Sequence, residues 1–511
     1  MKLGITERDI QKIIQSVLQN IESVLEKEET TSTVTPLKFK MITNKLEQQS
    51  TSLKQSTGID GVFERIEDAI ESGHKAQQLF IKNFQLKDRE KIIQAIRQGV
   101  LNEKEELARR VYEETGLGRY EDKVAKHELT ALKTPGTEDL KTAAFSGDDG
   151  LTIVEQAPFG LIGAVTPVTN PTETIINNTI GMVAAGNAVV FNVHPSSRKS
   201  CAYAVALLNR IIREEGGPEN LVTMVKDPTM ETLKLLTESQ KIRLLVGTGG
   251  VGLVKTLLQS GKKAIGAGAG NPPVIVDETA DIEHAAKSII EGAAFDNNLL
   301  CIAEKEVFVL EKVADDLIFH MLNHGAYMLD QNQLNQVMSF ALEKNLNDVS
   351  IGCSMDRSRE YHISKKWVGK DASLFLQELG VSPPSNVKLL ICEVDFNHPF
   401  VQLEQMMPVL PIVRVKNLDE AIEMAVQAEH GNRHTALMHS KNIDNLTKFA
   451  KAVETTIFVK NASSLAGVGF GGEGYTTMTI AGPTGEGITS AKTFTRQRRC
   501  VLAEGGFRII G

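Results

Sequence analysis

The stretch "PFGLIGAVTPVTNPTETIINNTIGMVAAGNAVVFNVHP", residues 158–195, decides the fold. It opens on an apolar run, crosses a turn holding two prolines, continues as a long segment ending at Gly186, and closes on a second apolar run. Apolar strands alternating with helices read as parallel crossover units, because a parallel sheet is covered on both faces and its strands lose the in-and-out alternation. The alternation continues through "LVTMVKD", "TMETLKLLTES", "IRLLVGTGG" and "GLVKTLLQSG". A second series runs from "NPPVIVDETADIEHAAKSIIEGAAF" through "KEVFVLEKVADDLIFHML" and "PVLPIVRVKNLDEAIEMAVQAEHG" to "TTIFVKN", with no internal repeat. Two α/β domains are expected, with chemistry in the cleft between them and at the carboxyl ends of the strands.

Before these series come amphipathic helices from about Gly61. Further forward, Ile5, Ile10, Ile13, Ile14, Val17, Leu18 and Ile21 recur at helical spacing, and the segment after them has the sparse apolar content of a linker. With 511 residues and 41% hydrophobic content, the chain can bury several cores. Lys and Arg number 56 against 64 Asp and Glu, a net charge of -8, so small molecules are expected as partners rather than nucleic acid or anionic membrane. No apolar run approaches the roughly 20 residues that span a bilayer, and "MKLGITERDIQ" lacks a secretory layout, so a cytosolic protein is expected. The five cysteines, Cys201, Cys301, Cys353, Cys392 and Cys500, are odd in number and without metal-type spacing, which favours free thiols over a disulfide framework or zinc cluster.

Cys201 and Cys392 lie in apolar segments and read as core, whereas Cys301 in "FDNNLLCIAEKEVFV" follows a polar Asn-Asn turn. A buried small hydrophobe and a nucleophile are both open for Cys301. A catalytic thiol needs a partner that steadies an oxyanion, and Asn170 in "TPVTNP", between two prolines after a buried strand, is either that partner or an ordinary turn residue. The run "LLVGTGGVGLVK" sets Gly247, Gly249, Gly250 and Gly252 between a strand and a helix. It lacks the full dinucleotide fingerprint, so tight packing and close approach of a nucleotide both remain open. His398, and His430, His434 and His439 in a stretch read as loop, match no standard ligand set; no metal site is expected.

Taken together, "PFGLIGAVTPVTNP", "GNAVVFNVHPSS", "VGTGGVGLV", "FDNNLLCIAEKEVFV", "LEQMMPVLPIVRV" and "GPTGEGITSAKTFTRQRRCVL" resemble the CoA-acylating branch of the aldehyde dehydrogenase superfamily, nearest the propionaldehyde and acetaldehyde dehydrogenases of bacterial microcompartments. The resemblance covers residue 60 to the end. It implies an α/β, aldehyde dehydrogenase-like fold: a Rossmann-type nicotinamide domain over 60–138 and 157–272, an α/β catalytic domain over 273–465, and a small β oligomerisation element over 139–156 and 483–511. Residues 1–22 would be a targeting helix and 23–59 a linker.

The same resemblance makes Cys301 the nucleophile, Asn170 the side-chain oxyanion donor and Glu404 the residue holding the nicotinamide ribose; from sequence alone Glu404 reads as a strand-edge charge. Thr166, Pro167, His194, Pro195, Gly247, Thr248 and Gly252 fall at its cofactor positions. The cofactor implied is NAD, with NADP open because His194 and Ser197 depart from the hydrolytic relatives. Those relatives carry a glutamate where this chain reads "GAGAGNPP", so coenzyme A rather than water is implied as the acyl acceptor. The expected activity converts a short-chain aldehyde (propanal or ethanal), CoA and NAD(P)+ to acyl-CoA and NAD(P)H. A hydrolytic enzyme giving the free acid and a non-enzymatic cargo or scaffold protein are the alternatives. Residues 1–22 would meet a shell protein or, on the other reading, pack on their own oligomer, a dimer or tetramer, or fray; the implied location is the microcompartment lumen.

Overall fold

The computed structural model describes residues 58, 60–344 and 361–504; the front helix, all of the linker but Gly58, and Cys353 lie outside the described residues. The first sheet is wholly parallel, in the order Val62–Phe63, Val222–Val225, Ala188–Asn192, Leu161–Val165, Ile242–Thr248 and Ala264–Ala267. The second is also parallel: Ala326–Met328, Leu389–Glu393, Val409–Val415, Glu306–Leu310, Pro273–Val276, Thr435–His439 and Ile457–Lys460. Every residue of Leu161–Val165 and of Ala188–Asn192 is buried, as strands covered on both faces require. In the second sheet Val274 and Val276 pack into one apolar cluster and Ile275 into another, so both faces carry a core. Both doubly wound sheets expected from the alternation are present.

The chain from Thr152 to Pro167 holds two strands in different sheets, and one local reading is corrected. Gly160, at φ 122°, lies between them; Gly150–Pro158 pairs antiparallel with Ala143–Gly147 and Thr495–Ala503. The histidine stretch read as loop holds a strand, Thr435–His439, buried throughout and flanked by Pro273–Val276 and Ile457–Lys460. Cys201 and Cys392 are buried as expected.

Around the turn that precedes Cys301, helices supply the scaffold. The long helix Leu86–Thr115 ends in a left-handed Gly116, and Gly118, at φ 74°, then lets the chain pass under Asp296. Arg119 N donates to Asp296 Oδ1 at 2.8 Å before the helix Tyr120–Lys133 begins. A Cβ on Gly118 would fall 1.9 Å from that same Oδ1. Gly118→Ala should therefore destabilise the fold by about 1–3 kcal/mol, from the positive φ and the displaced carboxylate. An earlier denaturant midpoint in equilibrium unfolding is the expected readout.

Candidate active site

Strand order in the first sheet reverses between Leu161–Val165 and Ile242–Thr248, and the carboxyl ends at such a reversal form a crevice where α/β sheets take ligands. Val165 lies opposite Gly247 on one side and Asn192 on the other, so three neighbouring strand ends deliver Thr166 and Pro167, His194 and Pro195, and Gly247 and Thr248 to one edge. Thr166 Oγ1 is buried without a partner, and Thr248 Oγ1 meets Thr479 Oγ1 at 2.9 Å. The glycines divide by role. A Cβ on Gly247 would come 2.3 Å from Leu257 Cδ1, so packing explains it, whereas at Gly250 and Gly252 a Cβ would meet nothing within 4 Å. Open backbone at the start of the helix Val251–Gln259, beside an unpartnered buried hydroxyl, fits the approach of a nucleotide. His194 only caps the short turn Pro195–Ser197, its Nδ1 accepting from Ser196 N.

Asn170 sits at the amino end of the helix Pro171–Ala184, yet its side chain does not cap that helix. Its Oδ1 accepts instead from Lys126 Nζ at 2.7 Å, while Nδ2 lies 3.3 Å from Thr169 Oγ1. Asn170, Lys126 and Cys301 line one pocket with about 460 Å³ of empty space. Its remaining walls are largely apolar, including Leu129, Phe295, Phe470 and Ile480, and among the described residues no carboxylate lines it. Phe295 and Phe470 meet edge to face at 5.6 Å.

The turn leading to Cys301 is unusual backbone. Asp296, Asn297 and Asn298 all adopt positive φ, at 49°, 55° and 67°, which Asp and Asn tolerate better than other side chains. Each is held: Asp296 N donates to Asp122 Oδ2 at 2.8 Å, Asn297 Nδ2 to Gly369 O at 3.0 Å, and Asn298 Nδ2 to Ala293 O at 2.8 Å. Buried Lys305 then clamps the loop, donating to Asn298 O, Asn298 Oδ1 and Leu300 O at 3.0, 2.6 and 3.1 Å. Partly buried Cys301 follows, packed against the second core.

Burial, then the charge of Glu404, pushes the Cys301 thiol up to about 12, with Lys305 opposing. Burial likewise pushes Glu404 up to about 7 against Lys305 and the Gly270 N–H, which donates to Glu404 Oε1 at 3.2 Å. Glu404 is not the strand-edge charge read from sequence; it lies in the loop between the short helix Pro399–Gln402 and the strand Val409–Val415. A Cβ on Gly270 would stand 2.4 Å from Cys301 O, so this hydrogen bond is formed directly beside the thiol's own backbone. Two residues of the site were missed in the sequence, Lys126 and Lys305. Lysines in "EDKVAKHE" and "CIAEKEV" carry the composition of exposed surface, and only their burial reveals them.

An aldehyde dehydrogenase family model matches residues 56–496. The chain is 47% identical over 451 residues to "Acetaldehyde dehydrogenase (acetylating) EutE" of Salmonella typhimurium, covering 88% of this chain and 94% of that protein. A Rhodopseudomonas palustris propionaldehyde dehydrogenase, solved with bound CoA and an acylated cysteine, superposes with a TM-score of 0.83 at 49% identity, covering 88% of this chain and all of that one (100%). A propionaldehyde dehydrogenase from the fucose utilisation bacterial microcompartment of Clostridium phytofermentans gives 0.82 at 49% identity, covering 87% and 98% of the two chains.

The electrostatics make a signed prediction. Because ionised Glu404 holds the Cys301 thiol up, Glu404→Gln should raise the thiolate fraction and speed alkylation of Cys301 by iodoacetamide above pH 7. Below about pH 6, where Glu404 is already protonated in the parent protein, the two rates should converge. Alkylation followed by intact mass across pH checks both limbs.

Proposed function

This chain belongs to the aldehyde dehydrogenase family, and we propose from that premise that it oxidises a short-chain aldehyde such as propanal or ethanal to the acyl-CoA, with Cys301 as nucleophile and Asn170 as oxyanion donor. The observation that carries the reading is the shared pocket: thiol and amide border one small apolar space that no carboxylate among the described residues lines.

The aldehyde enters this space and the Cys301 sulfur, as thiolate, bonds to its carbonyl carbon, leaving a hemithioacetal whose oxygen carries the charge. Asn170 Nδ2 donates to that oxygen, a contact of the kind worth about 3 kcal/mol of barrier. Bound NAD(P)+ supplies the acceptor for the aldehyde's hydride. Thr166, Pro167, His194, Pro195, Gly247, Thr248 and Gly252 would border its site and Glu404 would hold its ribose. With the hydride gone the carbonyl re-forms and an acyl thioester remains on Cys301. The apolar walls keep water from it without a base to activate the attack, and the coenzyme A thiolate displaces Cys301 to release acyl-CoA. The sum is aldehyde, CoA–SH and NAD(P)+ giving acyl-CoA, NAD(P)H and one proton.

The remaining assignments follow the same reading. Residues 60–138 and 157–272 bind the dinucleotide and 273–465 carry the thiol. The sheet of Ala143–Gly147, Gly150–Pro158 and Thr495–Ala503 serves assembly into a dimer or tetramer. Its support is that Phe145 and Val501 are 63% and 59% exposed and Thr495–Ala503 is an edge strand, an arrangement that takes a partner strand. Residues 1–22 direct the enzyme to a microcompartment shell protein, supported by their isoleucine face.

With propanal, NAD(P)H formation should depend on coenzyme A and yield propanoyl-CoA by mass; equal rates without it, with free propanoate, would overturn the thiolysis reading. Cys301→Ala should abolish turnover, and Asn170→Ala should lower kcat by on the order of 10²–10³-fold. Deleting residues 1–22 should leave turnover intact and end co-localisation with shell, seen by fluorescence of tagged protein.

A further inference from the structure

Lys126 presents a geometry that neither the fold nor a solvated lysine requires. Its side chain is 1% exposed, and its ammonium meets Asn170 Oδ1 at 2.7 Å, Asp296 Oδ2 at 2.6 Å and Glu173 Oε1 at 3.0 Å. An ammonium has three donors and no acceptor, so only an acceptor can face it at these distances; Asn170 Oδ1 takes a hydrogen bond and the two carboxylates are ion-paired. A side-chain amide, by contrast, has a donor end and an acceptor end of nearly the same shape. An asparagine that must give N–H bonds to an oxyanion is useless if turned over, and nothing in its own structure prevents that. Asn170 does not cap its helix, so the helix does not choose its orientation either.

We infer that Lys126 is the positioning residue of the oxyanion site: by taking Asn170 Oδ1 it leaves Nδ2 as the end available to the pocket that Lys126, Asn170 and Cys301 share. The same ammonium also pairs with Asp296 of the left-handed turn that leads to Cys301, but that turn is held separately by Asp122, Lys123 and Lys305, so the effect of Lys126 falls on the amide. Burial alone would weaken the charge on Lys126, but Asp296 and Glu173 outweigh it and hold the ammonium above its ordinary range. The charged form, which has donors and no acceptor, is thereby favoured. Lys123, whose ammonium lies 3.2 Å from the same Asp296 Oδ2, does not reach Asn170 in this way and has only the structural part of the role.

The inference rests on the oxyanion role proposed for Asn170, and a double-mutant cycle separates the two. The kcat for CoA-dependent propanal oxidation is measured for the parent enzyme, Asn170→Ala, Lys126→Met and the double variant, alongside thermal unfolding and the rate of Cys301 alkylation by iodoacetamide. Alkylation is a displacement that forms no oxyanion, so it reads presentation of the thiol alone. Each single variant should lose on the order of 10²-fold in kcat, and the double variant should lose no more than about threefold beyond the worse single, because Lys126 acts through Asn170. Alkylation of Lys126→Met should stay within about threefold of the parent over the same cycle.

Unchanged kcat in Asn170→Ala overturns the oxyanion role, and the inference with it. Loss in Asn170→Ala with parental kcat in Lys126→Met, or with losses that multiply in the double variant, overturns the inference alone. Loss of alkylation in parallel with kcat also overturns it, assigning Lys126 to the scaffold of the turn. Should Lys126→Met fail to fold, Lys126→Gln, which retains an N–H to give to Asn170 Oδ1, carries the same cycle with a smaller expected loss.

Discussion

The buried ammonium of Lys126 is the contact on which the site depends. Lys123, Lys126, Glu173 and Asp296 are all 0–1% exposed at the side chain, a density of charge that a protein interior tolerates only when each member is paired. They belong to three separate pieces of chain: the helix Tyr120–Lys133, the helix Pro171–Ala184 and the turn at Asp296. Removing one partner leaves an opposite charge stranded, a loss of about 3–5 kcal/mol where buried pairs have been broken. Such a cluster adds less to net stability than an apolar core of equal volume. Its effect is to penalise every arrangement of the three pieces but one, and that arrangement places Asn170 beside Cys301.

Around the thiol the balance is different. An apolar pocket favours the neutral thiol, and two charged groups pull on it in opposite directions, buried Lys305 toward the thiolate and partly buried Glu404 away from it. Glu404, pushed up to about 7, changes its own charge near neutrality, so its influence on Cys301 is strongest in alkali and fades in mild acid. Lys305 has a second task, since its three hydrogen bonds to Asn298 and Leu300 set the loop that carries the sulfur. Geometry and reactivity are therefore not separable at this position. A lysine replaced to alter the charge would also release the loop.

Much of this was legible in the sequence, and the rest was hidden for identifiable reasons. Continuous Val and Ile runs between helices gave the two parallel sheets, because a strand buried on both faces has no other composition. At residues 152–167 apolar character alone does not say which sheet a strand joins; Gly160 lies at the break, and a glycine in a strand pattern is a weak signal. Glu404 was misplaced because its surroundings, a short helix and a loop, leave no periodicity. Lys126 was invisible for a stronger reason. Lysine on an amphipathic helix is almost always solvated, and a buried one is recognised only through Glu173 and Asp296, which lie 47 and 170 residues further along. Asp296 itself stood in plain view in "FDNNLLC", but its function is to receive a lysine, and sequence does not pair them.

The stretch "GAGAGNPP" bears on the choice between thiol and water as the acyl acceptor. Read as sequence, it merely lacks a carboxylate. In the fold its glycines are sterically committed: a Cβ would come 2.6 Å from Val254 Cγ1 at Gly266, 3.1 Å from Pro483 Cγ at Gly268 and 2.4 Å from Cys301 O at Gly270. Contacts below 3.0 Å demand that something move, and at Gly270 the obstacle is the backbone of Cys301, which cannot swing aside as a side-chain tip can. A side chain introduced there would press on the Cys301 carbonyl and on the His434 ring. The Gly270 N–H is meanwhile engaged with Glu404, so shifting this backbone also disturbs the carboxylate that tunes the thiol. A side chain at Gly270 is thus opposed by how closely the chain approaches Cys301, whereas Ala267, Ala269 and Asn271 of the same stretch already carry a Cβ.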